Sequence, residues 1–251
     1  MKNDISSRPP DADLAGLKLI ADETRWRILR ALRASDRQVG ELVTQTGLPQ
    51  NLVSYHLGVL RQAGLVQQHR SDADGRATYY GVNLGELAAR YRQIGADLAI
   101  PAAITPTDLP RCTVVFLCRA NSARSQIAEG WLRTLTGGRI TVRSGGTQPA
   151  QLHPMATQVM AEAGIDIGHQ QAKSIDALAN LVPDVVVTVC DIAREECVLW
   201  PDVGDRLHWS IPDPVAAGAE ERLAAFRTVR DELRGRAEGL IGLLVSVARR
   251  A

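Results

Sequence analysis

The apolar spacing of this chain changes character across one proline-rich stretch, and that change limits what the chain can fold into. Residues 101–111, PAAITPTDLPR, hold three prolines and little apolar content, the composition of a linker. Before it, apolar residues recur at helical spacing. After it, short runs rich in β-branched residues alternate with helical stretches. A chain of 251 residues is long enough for two small domains, and the pattern places them at 1–100 and 112–251, joined by 101–111.

In the first part, Ile28, Leu29 and Leu32 share one face of a helix within residues 21–35. A short helix follows in VGELVTQTG, closed by Gly47. The next begins near Pro49, where proline is tolerated in a first turn, and ends at Gly64. Its inner face carries Leu52, Val53, Leu57 and Leu60. LVQQHR and ATYYGVN then read as two strands around the polar turn SDADGR. Helix, turn, helix, hairpin is the order of a winged helix-turn-helix.

In the second part, TVVFLC, RITVRSGG, DVVVTVC and RLHWSI read as strands. SQIAEGWLRTL, PMATQVMAEAG, SIDALANL and a long segment at 219–249 read as helices. This alternation predicts an α/β domain, a four-stranded parallel sheet flanked by helices. Sites in such sheets lie at the carboxyl ends of strands, and Cys118 and Cys190 each end one.

Bulk charge points to no partner class, since the net charge is +1. No run approaches the ~18 apolar residues of a membrane span. The start, MKNDISSRPPDAD, lacks the apolar centre of a signal peptide, so a cytoplasmic protein is expected. All four cysteines, Cys112, Cys118, Cys190 and Cys197, lie after residue 111. In a reducing compartment, clustered cysteines point to catalysis, redox work or metal binding. His153, His169 and His208 lack metal-site spacing, and no metal site is expected. Cys112 reads as a core residue.

The segment Cys118-Arg119-Ala120-Asn121-Ser122-Ala123-Arg124-Ser125 joins the first strand to a helix. Successive N–H groups in a tight loop before a helix N-terminus form a cradle for a tetrahedral anion. Arg124 can add a bidentate fork, and the positive field can hold Cys118 as thiolate, with Ser125 donating to it. A bare Cys-x5-Arg match is weak evidence; the strand before it and the Ser after it strengthen it. Cys190 and Cys197 are seven residues apart, so an intact helix would hold them about 10 Å apart along its axis. A disulfide needs Cα atoms within about 7 Å, so a relay between them requires this segment to unwind.

CRANSARSQIAEGW resembles the signature of the thioredoxin-coupled arsenate reductases, which share a fold with low-molecular-weight tyrosine phosphatases. RSGGTQP, HPMATQVMAEAGIDI, DVVVTVCDIAREECVLWP, HWSIPDP and FRTVRDEL resemble segments of that family in the same order. The resemblance implies that arsenate sits on residues 119–124 and that Cys118 attacks arsenic while Asp213 acts as general acid. It also implies that Cys190 and then Cys197 carry the electrons outward to thioredoxin or another thiol donor, with arsenite released and no tightly bound cofactor. Asn121, Glu129 and Ser144 match a potassium site of some members, but Lys173 stands at a further acidic position, so potassium is not expected.

Residues from about 14 to 95 resemble the ArsR/SmtB winged-helix repressors, which bind operator DNA as dimers. The resemblance implies a homodimer through this domain. It also implies that Gln50, Asn51, Ser54, Tyr55 and His56 face the major groove and that Arg70 and Arg76 touch phosphates. Residues 21–80 carry eight Arg against six Asp or Glu, a modest basic footprint. This domain has no cysteine, so an arsenite site of thiolates cannot be built from it alone. The expected function is a bifunctional regulator and arsenate reductase. A phosphatase fused to a regulator, and a regulator whose reductase-like domain only senses, remain the alternatives.

Overall fold

A computed structural model of the protein describes residues 11–73, 75–97, 109, 111–197, 200, 203 and 205–248. Most of the expected linker, 101–108 and 110, lies outside the described residues.

The N-terminal part runs α1 (Asp11–Ile20), α2 (Glu23–Leu32), α3 (Val39–Thr46), α4 (Gln50–Gln62), β1 (Val66–Arg70), β2 (Thr78–Val82) and α5 (Leu84–Asp97). The sequence pattern predicts α2 to α4 and the hairpin; α1 and α5 are additions. Asp22 caps α2 by accepting from the Arg25 N–H at 2.9 Å. Gly47 ends α3 at φ 65°, a left-handed position that favours glycine. Ile28, Leu32, Leu42, Val53, Leu57, Leu60 and Leu65 form the core of this part. Strands β1 and β2 pair antiparallel, with Arg70 opposite Thr78 at the turn end of the hairpin.

The C-terminal part holds β3 (Thr113–Cys118), α6 (Arg124–Leu135), β4 (Thr141–Gly146), α7 (Pro154–Glu162), β5 (Val185–Thr188), α8 (Asp191–Glu196), β6 (Asp205–His208) and α9 (Arg222–Ala248). Its four strands form one parallel sheet in the order β4-β3-β5-β6, as expected from the alternation. Central β3 and β5 are buried on both faces, which is why they read as unbroken apolar runs. SIDALANL departs from expectation: only Ile175–Leu178 coils, as a single 3-10 turn, with Ile175 and Leu178 buried and Leu181 packed against the same core. No described helix is long and apolar enough to cross a membrane.

The two parts are packed together. Arg236 of α9 donates to both carboxylate oxygens of Asp36, at 2.8 and 3.0 Å, and both residues are buried. Asp36 also accepts from the Ser210 N–H, and Trp209 Nε1 donates to the Ala34 carbonyl. Gly81 on β2 leaves room for this pair: a Cβ there would lie 2.3 Å from Asp36 Oδ1.

Candidate active site

The loop after β3 places Cys118 at the sheet's carboxyl edge, 3% exposed. Its Sγ lies 3.0 Å from Ser125 Oγ and accepts from the Asn121 N–H at 3.1 Å. The hydroxyl's proton is directed by its neighbours. Asn121 Nδ2 donates to Ser125 Oγ and to Ser144 Oγ, both at 2.9 Å, and Ser144 donates to Glu129 Oε2 at 2.5 Å. Ser125 Oγ is thereby an acceptor from Asn121, which leaves its own proton for the sulfur.

Asn121 sits at φ 45°, a conformation that Asn tolerates better than most side chains. The loop's carbonyls point outward into protein partners. Arg119 O accepts from Gln148 N, Ala120 O from Ala150 N, and Ser122 O from His153 N. The N–H groups of Ala120, Ser122 and Ala123 have no partner among the described residues, as an anion cradle requires. Gly146 lets the loop lie close to β4: a Cβ there would meet Arg119 O at 2.6 Å. The Arg119 side chain turns away to Gln148.

Arg124 opens α6 and is buried. It donates to Asp213 Oδ2 at 3.0 Å, to the Ile211 carbonyl at 2.8 Å and to Asp72 Oδ2 at 2.9 Å. Asp213 thus reaches the site from the turn after β6, where its other oxygen caps Pro214–Ala216 through the Val215 N–H. Asp72 comes from the β1–β2 turn, and nothing in the sequence pattern places it here.

Cys190 caps α8, and its Sγ accepts from the Ala193 N–H and from the Arg119 N–H, each at 3.3 Å. The second bond brings its sulfur into the Cys118 loop. Burial raises the Cys190 thiol to about 11, against the pull of Arg124 and with the Cys118 sulfur adding to the rise. Cys197 ends α8, buried, with its N–H bonded to Ala193 O. All four cysteines are free, and α8 is intact between Cys190 and Cys197.

Three supporting residues escape the sequence reading. Gln126 donates to Asn121 O and Oδ1 and fixes the left-handed turn. Asp191 is buried, which by itself would raise its carboxyl. Hydrogen bonds from His208 Nε2, Ser210 Oγ and the Asp72 N–H outweigh burial and hold it at about 2. His208, singled out in the sequence only as lacking metal-site spacing, is the partner that fixes Asp191. An Asp directly after Cys190 was the available signal; the register that delivers His208 was not readable.

Glu129 faces cations already present: Arg133 is paired with one oxygen, and Lys173 Nζ lies 3.9 Å from the other. The Lys173 N–H donates to Asn121 Oδ1 at 2.8 Å.

In the N-terminal part, Gln50, Asn51, Ser54 and Tyr55 are exposed on α4, and Arg70 and Arg76 are exposed beside the wing turn. His56 corrects the expectation. It is 8% exposed, because it falls with Val53, Leu57 and Leu60 on the i, i+3, i+4, i+7 stripe. Leu52, expected on the inner face, is only half-buried.

Residues 113–250 match the family model described as low molecular weight phosphotyrosine protein phosphatase, and residues 22–68 match that of the bacterial regulatory protein, arsR family. An arsenate reductase of Halalkalibacterium halodurans is 41% identical over 122 residues, 48% of this chain and 88% of that protein. One of Bacillus subtilis is 41% identical over 125 residues, 49% of this chain and 90% of that protein. A solved structure titled as an arsenate reductase in the phosphate binding state is 36% identical, with a TM-score of 0.48, covering 53% of this chain and 98% of that one.

Proposed function

We propose, from the premise that this chain belongs to the low molecular weight phosphotyrosine protein phosphatase family, within it to the arsenate reductases, and carries an ArsR-type regulatory domain, that it reduces arsenate to arsenite and binds operator DNA. The observation that carries reductase over phosphatase is the Arg119 N–H bonded to Cys190 Sγ, which puts a second thiol in the nucleophile's own loop. Ester hydrolysis has no use for that thiol.

The residue roles are as follows. The loop 119–124, with the open N–H groups of Ala120, Ser122 and Ala123, and the Arg124 fork bind arsenate. Cys118 Sγ attacks arsenic, and Asp213 gives a proton to the departing oxygen, which leaves as water. Cys190 then attacks Cys118 Sγ. The sulfur–arsenic bond breaks with its electron pair on arsenic, As(V) becomes As(III), and arsenite departs. Cys197 attacks Cys190, which frees Cys118 as thiolate and leaves a Cys190–Cys197 disulfide. Thioredoxin, or another dithiol donor, reduces it by exchange. Asn121, Ser144 and Glu129 orient Ser125, with Lys173 and Arg133 supplying the positive charge that potassium would otherwise bring. Residues 101–111 mark the boundary between the two domains, the first of which pairs with a second copy. Gln50, Asn51, Ser54 and Tyr55 supply the base-reading face, and Arg70 and Arg76 the phosphate contacts.

Arsenate turnover coupled to thioredoxin, set beside hydrolysis of a phenyl phosphate, tests the enzyme reading. Cys118→Ser is expected to abolish turnover. Cys190→Ser is expected to stop the relay while leaving Cys118 open to alkylation. Brisk ester hydrolysis with no arsenate turnover would overturn the reductase.

A further inference from the structure

The Arg124 guanidinium does two jobs that compete. In the oxyanion reading, on which this inference rests, its fork grips two oxygens of a tetrahedral anion. In the structure that fork is held by carboxylates. Asp213 belongs to the same domain and to the chemistry. Asp72 lies 52 positions before Arg124 and arrives from the turn between β1 and β2 of the regulatory domain.

Asp72 is seated by more than one bond. Its Oδ2 takes Arg124 NH1 at 2.9 Å, and its N–H donates to Asp191 Oδ2 at 2.8 Å. The turn is shaped for this, with Ala73 N–H bonded to Ser71 Oγ and Gly75 N–H to Ser71 O. Its side chain is 28% exposed, so the seat is reachable from solvent. A carboxylate presents an edge of two oxygens, as a tetrahedral oxyanion does. An incoming dianion therefore meets both an occupied fork and an adjacent like charge.

We propose that Asp72 is a tethered competitor for the oxyanion site: the wing carboxylate and a bound tetrahedral anion exclude one another at Arg124, so filling the site expels the wing. Of the two carboxylates on the fork, Asp72 is the one that leaves, because it is held on a turn while Asp213 is fixed by the cap it forms at Pro214. Burial raises the Asp72 carboxyl, the mark of an anion that Arg124 stabilises only in part. The expelled turn lies between Arg70 and Arg76, so the state of the oxyanion site is passed to the segment that the regulatory reading lays against DNA.

The test uses the full chain and inorganic phosphate as the probe, at fixed ionic strength. Phosphate affinity is compared between wild type, Asp72→Asn and Asp72→Ala. Amide exchange of residues 71–77 is followed with and without saturating phosphate. Both variants are expected to bind phosphate about tenfold more tightly, the scale of one charge-assisted contact. In wild type, phosphate is expected to speed exchange of the wing turn. A residue that merely supports the fold would weaken binding when replaced. Equal affinities, or tighter binding with unchanged wing exchange, overturn the competition. If no form binds phosphate, the oxyanion site itself is misassigned, and the competition falls with it.

Discussion

The reactivity of the loop rests on single hydrogen bonds whose direction is fixed by their neighbours. Ser125 can give its proton only to Cys118, because Asn121 already donates to its oxygen. Ser125→Ala is expected to slow turnover about ten- to hundredfold, since a hydrogen bond to a group that carries charge during the reaction is worth about 1.5–3 kcal/mol. The kcat of arsenate turnover checks it, and the pH profile of iodoacetamide labelling, read by mass spectrometry, reports on Cys190. Cys190 is expected to label slowly at pH 8 and to gain about tenfold per pH unit toward its pKa of about 11. A profile flat above pH 8 would contradict the burial that sets that value. The raised thiol also costs stability in alkali. The folded state keeps a proton that the unfolded state has lost, so stability falls as pH rises from about 8.5 to about 11.

Helix α8 separates the two thiols that the proposed relay would join. Six helical residues lie between Cys190 and Cys197, so a disulfide requires α8 to open. Oxidation is expected to form the Cys190–Cys197 bond and to speed amide exchange at residues 193–197. Unchanged exchange in the oxidised protein would remove the relay's geometry. The loop's tight seat on β4 makes Gly146→Ala harmful, as the added carbon meets backbone at 2.6 Å. Turnover is expected to fall by at least about tenfold with the fold retained, read as kcat and far-ultraviolet dichroism. Strands were legible because β3 and β5 are apolar on both faces, and α6 because its pattern follows a strand and a loop. The 3-10 turn at Ile175–Leu178 was not, since apolar residues at 175, 178 and 181 suit one face of a short helix as well as a 3-10 turn. His56 shows the same limit: the family resemblance implied a DNA contact, and its helical phase placed it in the core.

At the scale of the molecule, the regulatory part leans on the enzyme through a buried ion pair. Arg236→Met is expected to cost about 3–5 kcal/mol, because it strands the Asp36 carboxylate away from water. Adding Asp36→Asn is expected to recover much of that loss, as chemical denaturation of the single and double variants would show. Asp191 ties β6, the wing and α8 into one network. Its depressed carboxyl stabilises the fold above about pH 4, and that contribution is lost as pH falls through about 2.

What can be read in a linear order is what neighbours in the chain decide. The helical first part, the parallel sheet, the Cys118 loop with Arg124 and Ser125, and the Cys190–Cys197 spacing all follow from local period and contiguous residue types. The placement of Asp72 on Arg124, of Cys190 beside Arg119, of His208 against Asp191 and of Asp36 against Arg236 does not. Each joins groups from different elements, and its geometry depends on how those elements pack. A periodic pattern tells which face of an element is buried. The contact that face meets is set by the packing of the whole chain.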